Sequence, residues 1–204
     1  MTTLHIRYLL PLALQPPPHP PHPRRRLLGH SDRRNVFGED DALIADKCGQ
    51  ALAVDGLCVN LTVGETRQQR DAGEAEATLH RQLGAAAAAI PAGAWGRVAV
   101  AYEPVWAVGP GATPCSPAEC EQVLAGLRGW VSVNAGPAAA ESVRMLYTGS
   151  VNSANAASYA RLPSVDGFVV GRAGLDLDQL TQICDTLTSC KAKLLYTDGA
   201  VSSM

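Results

Sequence analysis

From Leu57 to Val63 the apolar positions Leu57, Val59, Leu61 and Val63 alternate with Cys58, Asn60 and Thr62. A period of two predicts a strand, one face packed on helices and the other turned toward a more polar interior. Upstream the period is helical: Leu43, Ile44, Cys48, Ala51 and Leu52 share one face, Asp40 or Asp41 suits the N-terminus, and Gly56 is a stop. Leu79, Leu83, Ala86 and Ile90 trace a second helical face, ended by Pro91. A short apolar strand, Val98 to Tyr102, comes next. Ser116-Pro117-Ala118-Glu119 is a capping box with proline at the first helical position, and Cys120, Val123, Leu124, Leu127 and Trp130 give that helix its buried stripe. A strand over 143–147 leads to Gly149-Ser150 and a short helix near 155–160. A strand over 167–170 leads to Gly171 and a last helix carrying Leu177, Leu180, Ile183, Cys184 and Leu187. Leu27-Leu28 is a strand stub before Gly29-His30-Ser31. Repeated βα units predict a parallel sheet, either a barrel or doubly wound.

The first 26 residues differ in kind. They end in Pro16-Pro17-Pro18-His19-Pro20-Pro21-His22-Pro23-Arg24-Arg25-Arg26, and no acidic residue precedes Asp32. Proline neither donates to a ladder nor continues a helix, so this stretch is expected to be an extended, solvated and disordered leader outside the fold. The apolar segment Tyr8 to Leu14 is short, broken by Pro11, and a weak fit to a secretory signal. The arginines and missing acids fit an organellar transit peptide, but serine is absent before Ser31, so that fit is weak too. The expected organisation is therefore a leader over 1–26, one α/β domain over 27–190, and a tail over 191–204.

Composition narrows the function classes. A net charge of −2 over 204 residues lacks the basic excess of an obligate nucleic-acid binder. No apolar run approaches the ~20 residues that span a bilayer, so no membrane partner is expected. The six cysteines form no C-x-x-C pair, which argues against a zinc site and for buried reduced thiols in a cytoplasmic protein.

Candidate chemistry collects after the strands, on the C-terminal edge of the sheet. Glu103 ends the strand from Val98 and enters Pro104-Val105-Trp106-Ala107-Val108-Gly109-Pro110-Gly111, a loop bounded by Pro and Gly with one large aromatic near its base. A general base mounted under a movable lid has this form, although most strand-end glutamates only face solvent. His30 follows a strand stub at the start of a helical turn, where the helix dipole disfavours the imidazolium; a lone histidine is more often a structural hydrogen-bonding group. Gly109, Gly149-Ser150 and Gly171-Arg172 follow strands or lie in the lid, and backbone N–H groups in such turns can hold a phosphate. Each one singly is a glycine in a βα turn. No G-x-x-x-x-G-K-[ST] is present, so a nucleotide P-loop is unsupported.

Four segments together resemble the triosephosphate isomerase family. Leu28-Gly29-His30-Ser31-Asp32-Arg33-Arg34-Asn35-Val36-Phe37-Gly38-Glu39 is similar to its electrophile segment, and Ala101 to Gly111 to its base and lid. Leu146-Tyr147-Thr148-Gly149-Ser150-Val151 and Asp166-Gly167-Phe168-Val169-Val170-Gly171 are similar to its two phosphate loops. They occur in family order, and the resemblance spans about residues 27–187. It implies an incomplete TIM (β/α) barrel holding about the last five βα units. It also implies interconversion of dihydroxyacetone phosphate and glyceraldehyde 3-phosphate, a step of glycolysis and gluconeogenesis, without metal or organic cofactor. By resemblance Glu103 is the base that moves a proton between carbons and His30 a neutral electrophile. Gly109, Ser150, Gly171 and Arg172 would meet the phosphate. Pro104 to Thr113 would be the lid, with Trp106 in its base, Tyr147 and Ser150 holding it closed, and Glu39 a supporting carboxylate.

The chain also departs from the family. Three further βα units open the family fold, the first with an Asn-x-Lys whose lysine faces the substrate, and nothing in residues 1–26 resembles it. Asp32 replaces Glu, Ala112 the lid Lys, Thr148 a Gly, and Arg172 a second Gly. The expectation is an N-terminally incomplete enzyme of impaired activity, with a non-catalytic half-barrel that binds phosphate or a partner as the alternative. The family's homodimer contact uses the third unit, so the resemblance does not carry dimerisation over to this chain.

Overall fold

The structure is a computed structural model that describes residues 8–9, 24–109 and 111–198, with side chains over 24–109 and 111–192. Strands β1 (Tyr8–Leu9), β2 (Arg24–Leu28), β3 (Leu57–Val63), β4 (Val98–Tyr102), β5 (Arg144–Thr148) and β6 (Gly167–Val169) form one sheet in the order β1-β6-β5-β4-β3-β2. From β2 to β6 every neighbour is parallel and consecutive in sequence. A doubly wound sheet would reverse direction at a switch point. Here there is none, so the five parallel strands make a half-barrel. Its helices are α1 (Ser31–Asn35), α2 (Asp41–Ala53), α3 (Arg67–Asp71), α4 (Ala75–Ala87), α5 (Pro117–Ala135), α6 (Pro137–Ser142), α7 (Ala156–Ala160) and α8 (Leu177–Asp198).

Local chemistry explains the boundaries. Asp40 caps α2 by accepting from the Leu43 N–H at 2.8 Å. Ser116 and Glu119 close the capping box of α5, with Pro117 at its first turn. The apolar alternation in β3 and β4 sends Val59, Leu61, Val63, Val98, Val100 and Tyr102 into the large core shared with the helices. The opposite face holds a small cluster, Ala99, Ala101, Leu146 and Val169, beside the buried polar Asn60 and Thr62.

Several boundaries differ from expectation. Arg24 to Arg26 lie inside β2, paired with Leu57 to Val59, so the domain begins before residue 27. Tyr8–Leu9 pairs antiparallel with Phe168 and Val169, which puts part of the expected leader in the sheet. The Pro-rich residues 10–23 lie outside the described residues. The last helix runs to Asp198, past the expected tail boundary, and α6 follows Gly136 where no separate helix is expected. All six cysteines are free; burial pushes the Cys48 thiol up to about 11 and Cys115 up to about 12. Among the described residues no helix is long and apolar enough to cross a membrane, and no group of His, Cys, Asp and Glu is placed to hold a metal ion.

Candidate active site

Glu103 leaves the C-terminal end of β4 and is only 3% exposed. Its N–H donates to the Val63 carbonyl at 2.8 Å, extending the β3–β4 ladder by one step. Gly64 makes this possible, because a Cβ there would lie 1.8 Å from the Glu103 carbonyl oxygen. The Glu103 carboxylate accepts from the Ser31 N–H at 2.8 Å and from Ser31 Oγ at 3.0 Å, and His30 Nε2 is 3.1 Å from Oε1. Burial pushes the Glu103 carboxyl above the ordinary carboxylate range, opposed by His30 and the two Ser31 hydrogen bonds. A raised carboxyl is a better base near neutrality.

His30 is the N-cap of α1, and its Nδ1 accepts from the Asp32 N–H at 3.2 Å. That bond assigns the ring proton to Nε2, the uncharged tautomer whose N–H points at Glu103. Gly29 allows the turn: it sits at φ +76°, and a Cβ would meet the Thr62 carbonyl at 2.6 Å. Arg34 Nε donates to the Gly29 carbonyl at 2.8 Å and its guanidinium pairs with Asp41, fixing the loop from below. Burial lowers the Arg34 guanidinium to about 10.

The base of the expected lid is anchored by a residue that sequence reasoning missed. Glu65, fully buried after β3, accepts from the Tyr102 hydroxyl at 3.0 Å and from Trp106 Nε1 at 2.6 Å. The same signal that singled out Glu103, a carboxylate at a strand end, is present in Val63-Gly64-Glu65. Ser31, beside His30 in sequence, is a second such residue, since it donates twice to Glu103. Within the expected lid, Val105–Ala107 form a 3-10 turn, while Gly109 and Gly111 sit at φ +112° and +76°; Pro110 lies outside the described residues.

A cleft of about 640 Å³ opens beside the loop after β4, between the loops after β5 and β6. Gly109, Gly149, Ser150, Gly171 and Arg172 line it, joined by Asn152 and Gln179, which sequence reasoning did not single out. Ser150 Oγ donates to the Ala107 carbonyl at 3.0 Å, tying this loop to the one after β4. Arg172 is exposed and makes no ion pair among the described residues. Tyr147 lies behind the loop, its ring stacked on Tyr159 at 4.5 Å. The structure thus brings His30 and Glu103 into contact and gathers the four expected phosphate-loop residues in one cleft. Glu103 and His30 do not line that cleft.

Glu39 does not touch the His30–Glu103 pair. It is buried between Arg33, whose Nε donates at 2.7 Å, and Lys47, and these partners hold its carboxyl below the usual range. A depressed carboxyl contributes stability that is present above its unfolded value and lost as pH falls through the folded one. Glu39→Gln is expected to cost about 1.5–3 kcal/mol, as for a hydrogen bond to a charged group. Urea unfolding at falling pH checks this: the gap to wild type should close once Glu39 itself is protonated.

Of the lysines Lys47, Lys191 and Lys193, Lys47 binds Glu39 and Lys191 donates to the Leu162 carbonyl at 2.8 Å, so neither faces Glu103.

Comparison with known proteins adds to this geometry. A family model described as triosephosphate isomerase matches residues 24–187. The chain is similar to the chloroplastic triosephosphate isomerase of Secale cereale, 41% identical over 165 residues, which cover 81% of this chain and 54% of that protein. The chloroplastic triosephosphate isomerases of Arabidopsis thaliana and Fragaria ananassa match with the same identity and 51% of their own length. The chain spans about half the length of the curated relatives it matches.

Proposed function

The chain belongs to the triosephosphate isomerase family, and on that premise we propose that it interconverts dihydroxyacetone phosphate and glyceraldehyde 3-phosphate through an enediol. The observation that carries this reading is the buried Glu103 carboxylate in contact with the neutral His30 Nε2–H at the end of β4. In the free protein both oxygens of Glu103 are engaged by Ser31 and His30. A substrate carbonyl offers His30 Nε2–H a new acceptor, and release of that contact frees a lone pair on Glu103 for the carbon-bound proton. Glu103 returns the proton to the neighbouring carbon, while His30 serves the two substrate oxygens in turn. The lid then excludes water, which protects the enediol from losing its phosphate.

The phosphate would sit in the cleft between Gly109, Ser150 and Gly171, held by backbone N–H groups and the Ser150 hydroxyl. Arg172 adds a guanidinium to this cleft that pairs with no carboxylate among the described residues. Arg172→Ala is expected to weaken binding of glycerol 3-phosphate about tenfold, the scale of one charge-assisted contact. Calorimetric titration checks it, and unchanged affinity would assign Arg172 to the surface.

Turnover in a coupled isomerase assay tests the proposal, with rates below those of full-length relatives, since no described lysine faces Glu103. A second reading, a half-barrel that binds phosphate without turnover, is favoured by the separation of the cleft from the catalytic pair. Phosphate-ligand protection against heat with no turnover would select it. The cytoplasm is proposed as the compartment, with a plastid-like organelle, named for the relatives, as the alternative; fractionation of the source cells distinguishes them.

A further inference from the structure

Gln82, a buried residue of α4, closes its side-chain amide on the backbone of Gly64. Its Oε1 accepts from the Gly64 N–H at 2.8 Å, and its Nε2 donates to the Gly64 carbonyl at 3.1 Å. The sheet explains why a clamp is needed at this place. Strand β2 leaves its ladder with β3 after Leu28, opposite Leu61, because Gly29 turns the chain into α1. That turn sets His30 and Ser31 against Glu103, and it also takes the backbone partner away from the last residues of β3. The Val63 and Glu65 carbonyls accept from Glu103 and Val105 on the β4 side, so the alternating backbone turns the N–H and C=O of Gly64 the other way. No strand remains there to meet them.

A glutamine side chain ends in the same group as a peptide, one carbonyl acceptor beside N–H donors. Gln82 therefore stands in for the strand that β3 has lost. Gly64 is held on one side by this amide and on the other by Glu103, whose carbonyl oxygen lies 1.8 Å from where a Gly64 Cβ would be. The Glu103 N–H bonds Val63, one residue before the clamp. Gln82, Gly64 and the Glu103 backbone thus form one line of contacts, and it ends at the carboxylate that accepts from Ser31. Without the amide, a buried N–H and C=O lose their partners, which is costly. The Gly64 peptide groups would then turn to find others, and the Val63 and Glu65 carbonyls would turn with them.

We infer that Gln82 is a positioning residue for Glu103, acting through Gly64 to hold the carboxylate against Ser31 and His30. Its effect on turnover rests on the isomerase reading above; its effect on the Glu103–Ser31 contact does not. Three variants separate positioning from general stability. Gln82→Leu removes both hydrogen bonds at similar volume. Gln82→Glu keeps the reach and the acceptor, but an ionised carboxylate has no donor for the Gly64 carbonyl. Ala86→Gly loosens the same helix one turn further on, in the core and away from Gly64.

The test is amide hydrogen exchange of the full chain labelled with nitrogen-15, read as the rate at Ser31 relative to that at Val100 in the middle of β4. Global loosening speeds both amides, whereas release of Glu103 from Ser31 speeds the first alone. Gln82→Leu should raise this ratio about tenfold, and Ala86→Gly should leave it unchanged. Should Gln82→Leu fail to fold, Gln82→Glu reads the same ratio, with a smaller rise expected. An unchanged ratio in the folded Gln82 variant, or an equal rise in Ala86→Gly, would overturn the positioning role. Turnover is a separate arm. There Gln82→Leu should lower kcat about 10²-fold, the scale of a misplacement of about 1 Å, with KM changed far less. In a Glu103→Gln background the same substitution should cost nothing further in kcat, since the group it positions is already gone. A raised ratio in a protein whose wild type shows no turnover would keep Gln82 in its role and reject the isomerase reading.

Discussion

Glu103→Gln is expected to lower isomerase kcat by about 10³–10⁴, the scale of general-base catalysis, while the protein remains folded and at least as stable. The first half follows from geometry: Glu103 is the buried carboxylate placed against His30, and an amide at that position cannot take a proton from carbon. The second half follows from linkage. A carboxyl raised by burial contributes stability below its unfolded pKa and loses it as pH rises through the folded value. At neutral pH the charged group is therefore a net cost, and glutamine removes it while still accepting from Ser31. The wild-type-to-variant difference in melting temperature should shrink as pH falls into the ordinary carboxylate range. In wild type, the acid limb of kcat/KM should lie above that range, since the base must be ionised to act. A variant that unfolds, or that retains turnover, would remove Glu103 from the role of base.

Gly64→Ala is expected to destabilise the fold by about 3 kcal/mol and to impair the site together with it. Its Cβ would come within 1.8 Å of the Glu103 carbonyl oxygen and 2.8 Å of the Glu103 carbonyl carbon. Both contacts are with backbone, so no side chain can swing aside to make room. Relief requires the ends of β3 and β4 to separate, which breaks the Glu103 N–H bond to Val63 and the Val105 N–H bond to Glu65. The first displaces Glu103 and the second the start of the loop after β4. Denaturant unfolding measures the stability loss, and the assay measures a fall in kcat larger than that of Gly73→Ala. Gly73 sits at φ +75° with nothing within 4 Å of the added Cβ, so it controls for backbone strain alone. Equal effects at the two positions would show that the β3–β4 approach has no special weight.

The alternation in Leu57–Val63 and the capping box at Ser116 identified β3 and the start of α5 because both signals are local: a pleat and a four-residue hydrogen-bond pattern. Glu103 and His30 were legible for a related reason, since each follows a strand and adjoins turn-forming residues. The arginine run in β2 was not. Arg24, Arg25 and Arg26 read as a solvated leader, yet pairing with Leu57, Cys58 and Val59 makes them a strand. A backbone ladder supplied from 33 residues away outweighs local polarity. Tyr8–Leu9 was missed for the same reason, its partner lying in β6.

The residues by themselves determined the βα periodicity, the strand ends that carry polar groups, and the order of the four family-like segments. The tertiary structure alone decided which of those groups meet. Ser31 reaches Glu103 across 72 positions of chain and Trp106 reaches Glu65 across 41, and no local pattern encodes either contact. The physical reason is that a strand-end side chain finds its partner only after neighbouring strands pair in register, which depends on the whole sheet.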